Sequence, residues 1–190
     1  MIGECFFLAF LLLTPAAPAD PPFFAEAREH IRRTIPGIDS VIPVERALSP
    51  AEREEIERST GEPWPAPVFK VLTALRGDSL IGLGVIDDAR GKDQPITYLL
   101  ITDRALTVRG LEILAYRESY GGEVRAGAWR KQFEGKTPGD LLRPGREIKT
   151  ISGATISARS ITAAVRRQLS ALRVLAPAFT VHGSQTSGKD

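Results

Sequence analysis

The stretch from Val68 to Ala115 constrains the fold of this chain more than any other. Val68 to Leu75, Leu80 to Ile86, Ile96 to Thr102 and Val108 to Ala115 are short runs rich in β-branched and apolar residues. Arg76-Gly77-Asp78, Asp87 to Gln94 and Asp103-Arg104 separate them. Connections this short cannot carry the crossover that parallel neighbours need, so the four runs predict an antiparallel meander.

The pattern on either side is helical. Pro21 to Ile35 places Phe24, Ala27, Ile31 and Ile35 on one stripe, and Ile35-Pro36-Gly37 stops it. Ser49-Pro50-Ala51-Glu52 has the form of a capping box, opening a short charged helix to about Ser59. Gly61 to Pro67 contains three prolines and reads as a wall or linker. After the strands, small helices are expected near Ala126 to Phe133 and Thr137 to Leu142. A long amphipathic one follows Ser152, with Ile161, Val165, Leu169 and Leu172 on its apolar face. Strands followed by helices, rather than alternating with them, give an α+β class. The expected architecture is an antiparallel sheet flanked by helices at 67–175, a helical N-terminal extension at 20–66, and a flexible tail at 176–190.

The N-terminus has the form of an export leader. Phe6 to Leu13 is a short apolar run, followed by Ala17-Pro18-Ala19, a cleavage site of the A-x-A kind. Glu4 stands where a basic residue is usual, and Pro15 breaks the run well short of the roughly 20 apolar residues of a membrane span. A signal peptide over 1–19 is therefore expected, and with it a periplasmic location. The single cysteine, Cys5, lies inside that leader, so the mature chain would carry no disulfide, haem or iron–sulfur ligand. His30 and His182 are far apart, which argues against a metal site. A formal charge of +2, with aromatics not interleaved in a basic stripe, gives no footprint for nucleic acid. Redox chemistry, if present, would need an organic cofactor.

Two short motifs fail on context. Gly82-Leu83-Gly84 resembles the start of a dinucleotide fingerprint but sits inside a strand pattern and lacks the third glycine. Gly135-Lys136-Thr137 resembles the end of a phosphate-binding loop, but Arg130 occupies the place of its first glycine. Two stretches remain. Glu118-Ser119-Tyr120-Gly121-Gly122 follows the fourth strand, where a glycine pair permits either a plain exit turn or close approach of a ligand. Ser152-Gly153-Ala154-Thr155, with Ser157 just beyond, opens the last helix. Ser152 is an N-cap candidate there, and free N–H groups at such a helix start also suit a phosphate.

Taken together, these stretches resemble a known family. Ser152-Gly153-Ala154-Thr155 matches the S/T-G-A-T flavinylation motif of the FMN-binding domains. These occur in the G subunit of the Rnf electron-transport complex, in the C subunit of the sodium-pumping NADH:quinone reductase, and in the periplasmic part of the nitrous-oxide-reduction regulator. Glu118 to Gly122 is similar to the family's E-T-P-G-L-G segment, and Ala128-Trp129 through Phe133-Glu134-Gly135-Lys136 to its A-W…F-x-G-K. The resemblance runs roughly from Gly91 to Val174. It implies FMN as cofactor, carried by Thr155 through a phosphoester that a separate flavin transferase makes, and electron relay with a membrane-bound or periplasmic redox partner. Lys149 stands where the family usually carries Asp, and could serve as a cation for the phosphate or favour FMN held without a bond. Tyr120 replaces the family's Pro. Tyr116, Tyr120 and Trp129 are candidates to stack on the flavin ring. The rival reading is a ligand-binding or assembly module of the same fold, holding FMN weakly or not at all.

Overall fold

The structure, a computed structural model, describes residues 22–179. The leader with its cleavage site, His182 and most of the expected tail lie outside the described residues. Five strands, β1 (Ser40–Ala47), β2 (Val68–Arg76), β3 (Ser79–Ala89), β4 (Ile96–Asp103) and β5 (Val108–Tyr116), form one antiparallel sheet in chain order. Helices α1 (Phe24–Thr34), α2 (Pro50–Thr60), the single turn α3 (Gly127–Arg130) and the long α4 (Thr155–Phe179) complete the α+β architecture.

The four expected strands are β2 to β5. The fifth, β1, lies in the segment read as a purely helical extension, and pairs along its whole length with β2, from Ser40↔Leu75 to Ala47↔Val68. Its sequence hides it: Pro43 interrupts the run, and Glu45 and Arg46 break the apolar alternation. Both are tolerated because β1 is an edge strand, where a missing N–H and charged side chains do no harm. Glu45 forms a cross-strand ion pair with Lys70 at 2.8 Å.

Both faces of the sheet are covered, which explains why Ile96 to Thr102 of β4 is buried at every position. On one face α4 and α2 enclose the larger core, around Phe69, Leu83, Val85, Tyr98 and Leu100. On the other, α1 sets Ile31 and Ile35 against Leu72, Ala74, Leu99 and Ile101. Gly82 and Gly84 make that approach possible: a Cβ would lie 2.3 Å from Ile35 Cδ1 at Gly82, and 2.5 Å from Ile31 Cδ1 at Gly84. These glycines serve helix packing. On the α4 face one polar knot crosses the core. Asp87 accepts from Tyr98 Oη at 3.0 Å, Arg167 at 3.0 Å and Gln168 at 2.7 Å. Burial, then the charge of Asp87, pushes the Tyr98 phenol well above its ordinary range.

The capping box of α2 is present: Ser49 Oγ accepts the Glu52 amide while Glu52 accepts the Ser49 amide at 2.9 Å. Arg46 adds a 2.7 Å ion pair, and its hydrogen bond holds the Glu52 carboxyl at about 2, below the ordinary 4.5. A carboxyl depressed in the folded state stabilises the protein fully above its unfolded value and loses that contribution as pH falls toward about 2. Ser49→Ala should cost about 1 kcal/mol at neutral pH. Glu52→Gln should flatten the acid limb of stability between about pH 4.5 and about pH 2, as read by denaturant melts across that range.

Three expectations are corrected. Thr137 to Leu142 is a turn rather than a helix, because the Asp140 carboxylate takes both the amide and the hydroxyl of Thr137 at 2.8 Å, and Pro138-Gly139 lies between them. The last helix runs past Leu175 to Phe179, where the Phe179 ring packs on Phe69 at 6.2 Å between centroids. Ser152 does not cap that helix. A turn at 151–154 is inserted ahead of it, closed by the Ala154 amide on the Ile151 carbonyl at 3.0 Å, with Gly153 at φ 85°. Helix α4 therefore begins at Thr155, with Ala154 in the cap position and no side-chain cap.

Candidate functional site

The sheet and the last helix meet where β5 ends and α4 begins. Helix α4 starts with the amides of Thr155, Ile156 and Ser157, none of which makes a hydrogen bond among the described residues. The residues leaving β5 close over this helix start. Gly121 is buried there at φ 87°, and a Cβ on it would stand 2.7 Å from Tyr116 Oη and 2.9 Å from Ser157 Oγ. Only glycine fits both the conformation and the space. Tyr116 ties the junction: its hydroxyl donates to the Tyr120 carbonyl and lies 3.0 Å from Ser157 Oγ.

Two adjoining clefts open at this junction. One, of about 340 Å³, is bounded by Gly153, Ala154, Thr155, Ile156 and Ser157 on the helix side and by Glu118 to Gly121 with Lys92 and Asp93 opposite. The other, of about 590 Å³, extends from Tyr116 and Glu118 past Gly122 to Glu123 and Arg125. Both fall in the size range of small-molecule sites, roughly 300–1,000 Å³. The structure thus brings Ser119, Tyr120, Gly121, Gly153, Ala154, Thr155 and Ser157 to one place, from segments far apart in sequence. Ser152 is exposed on the turn that leads in and lines neither cleft.

Thr155 is exposed, and its hydroxyl donates to the Ile151 carbonyl at 3.2 Å, which leaves the oxygen lone pairs facing outward. Lys149 is exposed but is not among the residues lining either cleft. Its backbone is what the fold uses. Trp129 Nε1 donates to the Lys149 carbonyl at 2.7 Å, and the Lys149 amide donates to Gln132 Oε1 at 2.8 Å. The A-W segment thus holds the stretch that leads into the turn at 151–154. Lys92 lines the same cleft as Thr155. No local pattern signals it, because the β3–β4 turn reaches the cleft only through the sheet.

Glu118 fixes that turn. Its carboxylate accepts the Asp93 amide at 2.7 Å and the Gln94 amide at 3.1 Å. The Gln94 and Asp93 amides hold its carboxyl below the ordinary glutamate range. From the α4 side, Ser160 Oγ donates to the Arg90 carbonyl and anchors the same turn. Glu118→Ala should speed hydrogen exchange at the Asp93 and Gln94 amides selectively, leaving β4 protected. Acid should act in the same direction, since the contribution of a depressed carboxyl is lost as pH falls through its folded-state value.

The aromatic candidates divide sharply. Trp129 is buried, edge-on to Phe133 at 5.2 Å, and the Tyr116 hydroxyl is engaged while Arg125 sits 5.7 Å above its ring. Tyr120, 86% exposed, and Ile156, 57% exposed, both line the cleft. Solvent-exposed apolar side chains on both walls of one cleft fit a flat apolar ring system between them.

A cleft with free helix amides, a glycine-lined approach and exposed apolar side chains suits a phosphate joined to a planar ring. Residues 91–170, from the β3–β4 turn through most of α4, match the model of the FMN-binding domain. FMN is accordingly its cofactor. No curated protein matches the chain. Among the described residues no helix is long and apolar enough to cross a membrane, and no group of His, Cys, Asp or Glu is placed to hold a metal ion.

Proposed function

We propose that the protein is an exported electron carrier whose FMN is attached to Thr155 through a phosphoester. The observation that carries this reading is the exposed Thr155 hydroxyl at the first position of α4, inside a cleft whose near wall is Gly153 and Ala154. Attachment forms a bond from Thr155 Oγ1 to phosphorus. The hydroxyl proton is lost, and the leaving group departs from the phosphate of an activated flavin donor. A flavin transferase supplies catalysis, since no base hydrogen-bonds to the Thr155 hydroxyl. The linked phosphate keeps one negative charge, which the free amides and dipole of α4 favour by about 0.3–1 kcal/mol, or up to about 2 when partly buried.

The bound flavin supplies one- and two-electron redox chemistry, and the chain's own residues hold and shield it. The protein would pass electrons between a membrane-bound or periplasmic donor and an acceptor. A permanent bond suits a compartment where lost FMN is not replaced. The substitution of Lys149 for the family's Asp favours a second reading, in which FMN is held without a bond. Co-expression with a flavin transferase followed by a denaturing gel separates them. The covalent carrier gives a fluorescent band with the added mass of FMN less one water, whereas an unlabelled band of unmodified mass removes it.

A further inference from the structure

A third cavity, of about 500 Å³, lies on the opposite face of the sheet from α4, beyond the N-terminal end of α1. Among the described residues, helix α1 covers that face only as far as Phe24, and the strand ends past it are left open. The walls are Phe23, Leu72 and Ile86 with three prolines, Pro22, Pro43 and Pro95. Proline carries no N–H, so these walls offer few backbone donors and suit an apolar body.

One end of the cavity is charged. Thr97 is 6% exposed, and its hydroxyl donates to Asp88 Oδ1 at 2.6 Å while accepting a long 3.4 Å bond from Arg117. Glu45 and Lys70 at the rim neutralise each other. Asp88 and Arg117 form no ion pair among the described residues, so a carboxylate and a guanidinium of opposite sign flank one buried hydroxyl with most of their hydrogen-bonding capacity unused.

A ligand with a lone carboxylate could pair with Arg117 but would set like charge against Asp88, and a lone amine would meet the reverse problem. A head carrying both charges on one carbon satisfies both. We infer that this cavity binds a free α-amino acid with an apolar side chain. Its carboxylate accepts from Arg117, its ammonium donates to Asp88, and its side chain lies against Leu72, Ile86 and Phe23. The site is separate from the flavin cleft and does not depend on FMN being attached.

The test is calorimetric titration of the full chain with L-phenylalanine, 3-phenylpropionate and phenethylamine. Phenylalanine should bind saturably, with both truncated probes weaker by about 10-fold or more, as loss of a hydrogen bond to a charged group implies. Arg117 and Asp88 are exposed, so Arg117→Gln and Asp88→Asn should fold normally. Arg117→Gln should weaken phenylalanine by about 10-fold without weakening phenethylamine, and Asp88→Asn should spare 3-phenylpropionate. Absence of phenylalanine binding at millimolar concentration, equal binding of all three probes, or phenylalanine binding unchanged in both variants would overturn the assignment.

Discussion

On the proposed attachment, Thr155→Ala should remove all covalent flavin from the protein when it is co-expressed with a flavin transferase, while Thr155→Ser should retain it. Alanine leaves no oxygen to bond phosphorus, and serine keeps the hydroxyl at the same backbone position. Folding should hardly change, because Thr155 is exposed and gives up only its bond to the Ile151 carbonyl, a loss within about 1 kcal/mol. Intact-mass spectrometry reads the attachment, and a thermal melt on the same sample reads the fold. If Thr155→Ala still carries the mass of FMN less one water, the bond lies elsewhere and the assignment of Thr155 fails.

The second large effect is at Trp129. Its ring is 4% exposed in the core against Phe133, and its indole N–H is the donor that holds the Lys149 carbonyl. Trp129→Ala should cost about 3–5 kcal/mol and lower Tm by roughly 6–20 °C. Trp129→Phe separates the two roles. It keeps most of the buried ring but leaves the carbonyl unpaired, a penalty of about 1–3 kcal/mol that falls on the stretch leading into the turn at 151–154. Flavin loading should therefore fall more in Trp129→Phe than its modest change in Tm would suggest. Equal loading in Trp129→Phe and the parent protein would mean that the turn is held by other contacts.

What could be read from the residues alone follows the range of the forces involved. Strands β2 to β5 announce themselves because their short runs are rich in apolar and β-branched residues and are separated by turn residues. Strand β1 does not, because an edge strand tolerates the proline and charges that mask its period. The start of α4 lies two residues beyond the expected one for a similar reason. Ser152 is a good cap by type, but Gly153 in the left-handed region makes a turn first, and Gly121 packs against the helix start that follows. At the site, the small-residue motif and the glycine pair are visible as sequence. The partnership of Glu118 with the Asp93 and Gln94 amides is not, because it spans two strands. Nor does type alone separate the aromatics: Trp129 and Tyr120 are equally good ring-stackers on paper, and only burial shows that one is a core residue and the other faces the cleft.

The sheet whose strands lie side by side in chain order also sets when the site comes into being. Each strand pairs with its immediate predecessor, so the meander can zip from the N-terminus through contacts of short sequence separation. The cleft is different. One wall is the exit from β5 and the β3–β4 turn, and the other is the first turn of α4, the last element of the domain. Thr155 meets its surroundings only after α4 has docked and closed the larger core. A modifying enzyme that recognises the assembled cleft would then label finished molecules and pass over partly folded ones, making the flavin a record that folding has been completed.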